Sequence, residues 1–303
     1  MRAHEGCRPP SISGRAAIGL LGFVEELGVE AEPLLGKAQL TRAQVEDASG
    51  WLPLHRFVYL LELAARASQD DCFGAHFAAR YPLHHTGLAG YVTVNASTIG
   101  KGCRALARYY AVLADASEIA LRAQGTRVCL SYGVLDDSVW PRRHDAEAMI
   151  GILLAWLRQT LGPSWAPDEV CFEHARPRGA GELERLFKAR IRFDSAHNGL
   201  WFPRALLERA MEPVHADLGS LIEPYLEQLL AKKRSSEDLR EHVVATMRRS
   251  LDAPSLRGVA RTQGVSQRTL QRRLRKHGAS FHALLERTRH ESSIALLGDG
   301  TLS

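Results

Sequence analysis

The stretch that most constrains this chain lies near its end: SLRGVARTQGVSQRTLQRRLRK, residues 255–276. Two short segments of helical period flank a single turn glycine, Gly264, and a serine precedes each segment. Ser255 predicts the cap of a first helix with Leu256, Val259 and Ala260 on its inner face, because a serine hydroxyl accepts an orphan amide proton of the first turn. Gly264 supplies the left-handed backbone that a tight turn requires. Ser266 predicts the cap of a second helix. Ala260, four residues before Gly264, is small enough for the two helices to cross closely. Leu270 and Leu274 then anchor the second helix, leaving Arg268, Gln271, Arg272 and Arg275 outward at i, i+3, i+4 and i+7. A merely solvated basic helix explains the arginines, but not the coincidence of turn, caps, small residue and basic face.

This layout is a helix-turn-helix with a major-groove recognition helix at about 266–276. Arg268, Gln271 and Arg272 are the expected base-contacting residues, since Arg bonds guanine O6 and N7 in bidentate fashion and Gln does the same at adenine N6 and N7. Arg257, Ser266, Arg273, Arg275 and Lys276 are the expected phosphate contacts, which add affinity without sequence choice. The charge distribution agrees. Residues 1–231 hold 24 Lys and Arg against 27 Asp and Glu, a net −3, whereas residues 232–303 hold 15 against 7, a net +8. A polyanionic partner belongs with that last quarter.

Upstream the pattern is mixed. SISGRAAIGLLGFVEELG, PLHRFVYLLELAARAS and TIGKGCRALARYYAVLA carry apolar residues at helical spacing, the first stopping at Gly28. After Asp115 the period changes to two. Arg127–Val134 places Val128, Leu130, Tyr132 and Val134 on one face and pairs with EIALRA through a hairpin. DEVCFEH and RIRFDSAHNGLWF predict further strands, with Asn198-Gly199 as a tight turn. DAEAMIGILLAWLRQTLG predicts a long helix stopping at Gly162. SLIEPYLEQLLAKKR predicts another, with Ser220 and Glu223 spaced as a capping box. Lys232–Ser236 reads as a polar junction. The expected fold class is therefore an α+β N-terminal domain (helices plus a small antiparallel sheet) over 1–234, followed by an all-α helix-turn-helix domain over 235–303.

The segment from Ser255 to the end resembles the first half of the DNA-binding domain of the AraC/XylS family of bacterial transcription regulators. The marks are Ser266-x-Arg-Thr-Leu-Gln-Arg-Arg-Leu, then Gly278-Ala-Ser-Phe, then a linker helix at about 281–297 containing Arg289. In that family this helix enters the major groove, which matches the positions chosen by spacing. GLAGYVTVNASTIGKGCRALARYYAVLAD, LGPSWAPDEVCFEHARP and ELERLFKARIRFDSAHNGLWFPRALL resemble the "arabinose-binding" N-terminal domain of one branch, a label that does not make arabinose the ligand. Two helix-turn-helix units are the family pattern, and GDGTLS stands where the second would begin. The expectation is a chain truncated or frameshifted before that unit, lacking the second half of the DNA-binding domain. Phe281, Leu284, Leu285, Ile294 and Leu296 are then expected to be partly exposed.

The function expected is sequence-specific DNA-binding transcription regulation in response to a small-molecule effector. The alternative is a non-DNA-binding effector or dimerisation module that titrates full-length partners. Partners are double-stranded DNA and an unidentified effector, with a homodimer as an option. Trp51, Tyr91, Tyr109, Tyr110 and Trp140 are aromatic candidates for an effector pocket, with Arg104 or Arg108 for an acidic ligand. No catalytic residue, cofactor or metal is expected. G-x-S-x-G, Walker and G-x-G-x-x-G motifs are missing, and His84-His85 with His76 nearby lacks a Cys or carboxylate at ligand spacing. Five scattered cysteines without a C-x-x-C pair, no signal-like N-terminus and no long apolar run point to a cytoplasmic protein with no membrane partner.

Overall fold

A computed structural model of the chain describes residues 9–213, 215–249, 254–276, 279–286 and 288. These fall into two compact units, one spanning Pro10–Gln228 and the other running from Leu229 onward. The first is α+β. Strand β1 (Ser11–Ser13) pairs with β2 (Trp51–Pro53), and helices α1 (Leu20–Glu26), α2 (Ala31–Ala38) and α3 (Arg42–Glu46) lie between them in sequence. Then follow α4 (Leu54–Ser68), α5 (Phe73–Ala78), α6 (Leu88–Val94) and α7 (Ile99–Tyr109), the hairpin β3 (Ser117–Gln124) and β4 (Arg127–Val134), and α8 (Arg143–Leu161). Strand β5 (Glu169–Cys171), helix α9 (Ala180–Phe187), β6 (Ile191–Arg192) and β7 (Asn198–Pro203) complete a five-stranded sheet of order β3-β4-β7-β5-β6. All neighbours pair antiparallel except β5 and β6, which are parallel.

The period-two face of β4 forms part of the core. Val128, Leu130, Tyr132 and Val134 are all buried, and they belong to one apolar cluster with Leu153, Trp156 and Leu157 of α8. A fully buried Trp156 anchors that long helix, and burying an aromatic of this size stabilises by several kcal/mol at about 25 cal/mol per Å². Cys129 and Ser131, on the other face of the same strand, are buried too. Strict alternation predicts a wetter face there.

Three local expectations are corrected. Ser11–Ser13 is a strand, not the start of a helix, because Asp115 accepts from both the Ser11 amide (3.0 Å) and its hydroxyl (2.8 Å) and holds the segment extended. Asn198-Gly199 is not a turn but the start of β7, opposite Tyr132 and Ser131. The Asn198 side chain accepts from the Glu173 amide at 2.9 Å and donates to the Tyr132 carbonyl, so it ties strands together rather than closing a loop. Ser220 caps nothing, for it lies inside α10 (Ala216–Arg249) and donates to the Asp217 carbonyl at 2.7 Å. That helix runs unbroken through the junction expected at Lys232–Ser236, and the boundary between the units falls within it.

The second unit contains the C-terminal part of α10, then α11 (Leu256–Thr262), α12 (Gln267–Lys276) and a helical turn at 281–286. Among the described residues its core comprises Val243, Met247, Val259, Ala260, Leu270, Leu274, Ala279 and Leu284. Phe281 and Leu285 are partly exposed, as expected, while packing against this cluster, whereas Leu284 is buried within it, contrary to expectation. The remainder of the linker helix expected to about 297, with Ile294 and Leu296, lies outside the described residues.

Candidate functional site

The helix-turn-helix is built from its caps. Ser255 Oγ accepts from the Gly258 amide at 3.1 Å, opening α11, which buries Val259 and Ala260. At the other end Val265 donates to the Ala260 carbonyl (3.0 Å) and Gly264 to that of Arg261 (3.1 Å). This crossed pair closes a helix through a left-handed residue, and Gly264 has φ +64°. A side chain with a Cβ is disfavoured there by about 1–2 kcal/mol. Ser266 Oγ then accepts from the Thr269 amide at 3.1 Å and starts α12. Leu270 and Leu274 are both fully buried on its inner side.

The outer side is what this packing leaves. Arg268, Gln271, Arg272 and Arg275 are exposed, as are Arg257, Ser266 and Arg273. Lys276 closes α12, and its side chain lies outside the described residues. Among the described residues no ion pair engages any of these arginines. Ten residues of helix span about 15 Å, and a stripe of this kind fits a major groove about 12 Å wide. Arg268, Gln271, Arg272 and Arg275 thus share one exposed stripe of α12, with Arg257, Ser266 and Arg273 exposed elsewhere on the same small unit.

The effector candidates do not converge. In the first unit a small, largely apolar cavity of about 40 Å³ is lined by Arg15, Phe57, Tyr81, Tyr110 and Asp145 among others. Of the aromatics chosen from sequence only Tyr110 lines it. Tyr109 instead donates to Glu227 at 2.6 Å, and Arg108 grips the same carboxylate through two nitrogens, so that arginine is not available to an acidic ligand. Trp51 and Trp140 are exposed, Tyr91 rests against the His84 ring, and Arg104 faces solvent. Trp140 lines a second cavity with Arg142, Glu173 and His174.

Two polar groups mark the first cavity. Arg15 has a buried Nε without a hydrogen-bond partner among the described residues. Asp145 accepts from the Tyr132 hydroxyl at 2.7 Å, and burial lifts its carboxyl to about 6 despite that bond. Sequence spacing had no means of finding either residue, because strand β1, the turn after it and helix α8 meet only in the folded chain.

A third arrangement has no counterpart in the sequence reading. Cys129, Cys171 and His197 bring one ligand atom each to within 4.8 Å of the others, although they come from different parts of the chain. His76, by contrast, contacts Asp70 at 2.8 Å, while His84 and His85 pack edge to face on each other.

Among the described residues no helix is long and apolar enough to cross a membrane. Residues 28–211 match the sequence profile of the arabinose-binding domain of AraC transcription regulators, the N-terminal domain of that family. The chain is 25% identical over 290 residues to the ornithine utilization regulator of Pseudomonas aeruginosa, covering 93% of this chain and 83% of that protein. It is also 25% identical over 285 residues to the HTH-type transcriptional regulator VirS of Mycobacterium tuberculosis, covering 92% and 83%. The crystal structure of the transcriptional regulator CdpR from Pseudomonas aeruginosa superposes with a TM-score of 0.49 at 22% identity, covering 90% of this chain and 86% of that one. With its α+β unit matched by that domain over more than half of the chain, this protein belongs to the AraC family of transcription regulators with an arabinose-binding N-terminal domain.

Proposed function

We propose that this chain is a sequence-specific DNA-binding transcription regulator responsive to a small molecule. Residues from about 235 onward contact DNA, and the α+β unit receives the effector. The observation that supports DNA reading is the exposed, unpaired stripe Arg268, Gln271, Arg272 on α12, held outward by the buried Leu270 and Leu274. Arg268 and Arg272 read guanines and Gln271 an adenine, while Arg257, Ser266, Arg273, Arg275 and Lys276 hold the phosphates. The effector enters the apolar cavity beside Arg15 and Asp145, also lined by Ser13 and Thr86, which must widen from about 40 Å³ to admit a small molecule.

The test is binding of the purified 303-residue protein to the DNA upstream of its own gene, by fluorescence anisotropy at two salt concentrations. An Arg268/Gln271/Arg272→Ala variant and scrambled duplex serve as controls. With four to five phosphate contacts the slope of log K against log salt is about −4, so affinity falls some 200-fold between 50 and 200 mM salt. The variant is expected to lose the preference for the specific duplex and keep weak, salt-dependent binding. Equal affinity of both proteins for both duplexes refutes sequence reading by α12. No binding at all leaves an effector or dimerisation module that titrates partners.

A further inference from the structure

The second face of the sheet contains a small cluster, Cys129, Cys171 and Trp201, separate from the main apolar core. Strands β4 and β5 both pair with β7, which runs between them. Cys129 stands opposite Trp201 and Cys171 opposite Gly199. Two cysteines on either side of a shared neighbour have their Cα atoms at least about 9 Å apart, two strand spacings. A disulfide needs about 4.4–6.8 Å, so these residues cannot be joined by one. Their sulfurs nevertheless meet, because the strand between them carries a glycine. A Cβ on Gly199 would lie 2.5 Å from Cys129 Sγ, and Cys171 Sγ is 3.6 Å from the Gly199 carbonyl oxygen. The missing side chain makes the space that both thiols enter.

His197 completes the group. Its Nε2 is buried and has no hydrogen-bond partner among the described residues, and its ring packs on Trp201 at 6.1 Å. A buried, unpaired ring nitrogen costs free energy unless something accepts its lone pair or its proton. We propose that Cys129, Cys171 and His197 form a binding site for a thiophilic cation of the Zn(II) class. Ligand atoms on a tetrahedral zinc lie about 3.5–3.8 Å apart, given bonds of about 2.3 Å to sulfur and 2.0–2.1 Å to nitrogen. The observed separations, all within 4.8 Å, require a contraction of about 1.3 Å at most. Two thiolates balance the dication, and the protons of both thiols leave to solvent on binding. Three protein ligands leave one coordination position for a water or another small ligand.

The experiment uses the full chain, reduced with a non-thiol phosphine and titrated with Zn(II) alone against a chromophoric zinc indicator. Metal content is measured after gel filtration. About one zinc per chain is expected. Cys129→Ser, Cys171→Ser and His197→Asn each lower the affinity at least tenfold, while Cys103→Ser, at a buried cysteine outside the cluster, leaves it unchanged. His197 is only partly buried, so His197→Asn retains the fold and decides the matter if a cysteine variant fails to express. Zinc is also expected to raise the thermal midpoint of the wild type and not that of His197→Asn. Wild type that retains no zinc, or the same affinity in His197→Asn as in wild type, overturns the site.

Discussion

Replacing Arg272 by alanine separates what α12 does for the fold from what it does for DNA. In the free protein Arg272 is exposed and has no ion pair among the described residues, so its removal costs the fold little. Arginine and alanine are both strong helix formers, and surface changes of this kind stay within about 0.5 kcal/mol. The thermal midpoint should therefore be unchanged. On DNA the loss is larger and depends on sequence. One bidentate guanine contact is worth about 1–3 kcal/mol, or roughly 5- to 150-fold in Kd, on the preferred duplex. On scrambled duplex only one cation is lost, which makes the salt slope less negative by about 0.9. The assay is anisotropy on both duplexes at two or three salt concentrations, with a melting curve of each protein. An equal loss of affinity on both duplexes would refute base reading by Arg272 and make it one more phosphate contact. A fall in the melting midpoint would refute the claim that this face is free of structural duty.

Two further predictions concern stability. Leu270→Ala removes a fully buried side chain from a core that, among the described residues, has eight buried apolar members, so it should cost about 2–5 kcal/mol and raise hydrogen exchange across residues 256–276. Unchanged exchange there would mean that α12 does not depend on this core. Asp145 has its folded-state carboxyl raised to about 6, above the ordinary 3.8, so folding favours its protonated form. The stability it contributes is complete below about pH 4 and is lost as pH rises through 6. Asp145→Asn, which retains an acceptor for the Tyr132 hydroxyl, should gain about 2–3 kcal/mol on the wild type between pH 4 and pH 8 in denaturant titrations. A constant difference across that range would contradict the buried, protonated state.

How much of the molecule was legible depends on the range of the interactions that set it. Hydrogen bonds within three to five residues close the helix-turn-helix: Ser255 to Gly258, Ser266 to Thr269, Val265 to Ala260. Serines, one glycine and two leucines spell these out in order, so the exposed face is readable from the sequence. The period of β4 was equally plain. The Asn198-Gly199 pair misled, because tight turns and close strand packing both favour glycine, and only register tells them apart. Ser220 and Glu223 have capping spacing, yet a helix that begins at Ala216 leaves no cap for them to make.

By itself, then, the sequence determined the basic helix, its outward residues and the mixed α+β character of the first unit, since each follows from local period and local hydrogen bonding. Only the tertiary structure decided which groups surround the cavity of the first unit and which ligand atoms meet across the sheet. Arg15 and Asp145 line one cavity, and Cys129, Cys171 and His197 converge beside one glycine. Residues so distant in the chain have no spacing rule, because chain topology and strand register bring them together, and both are set by burial of the whole core.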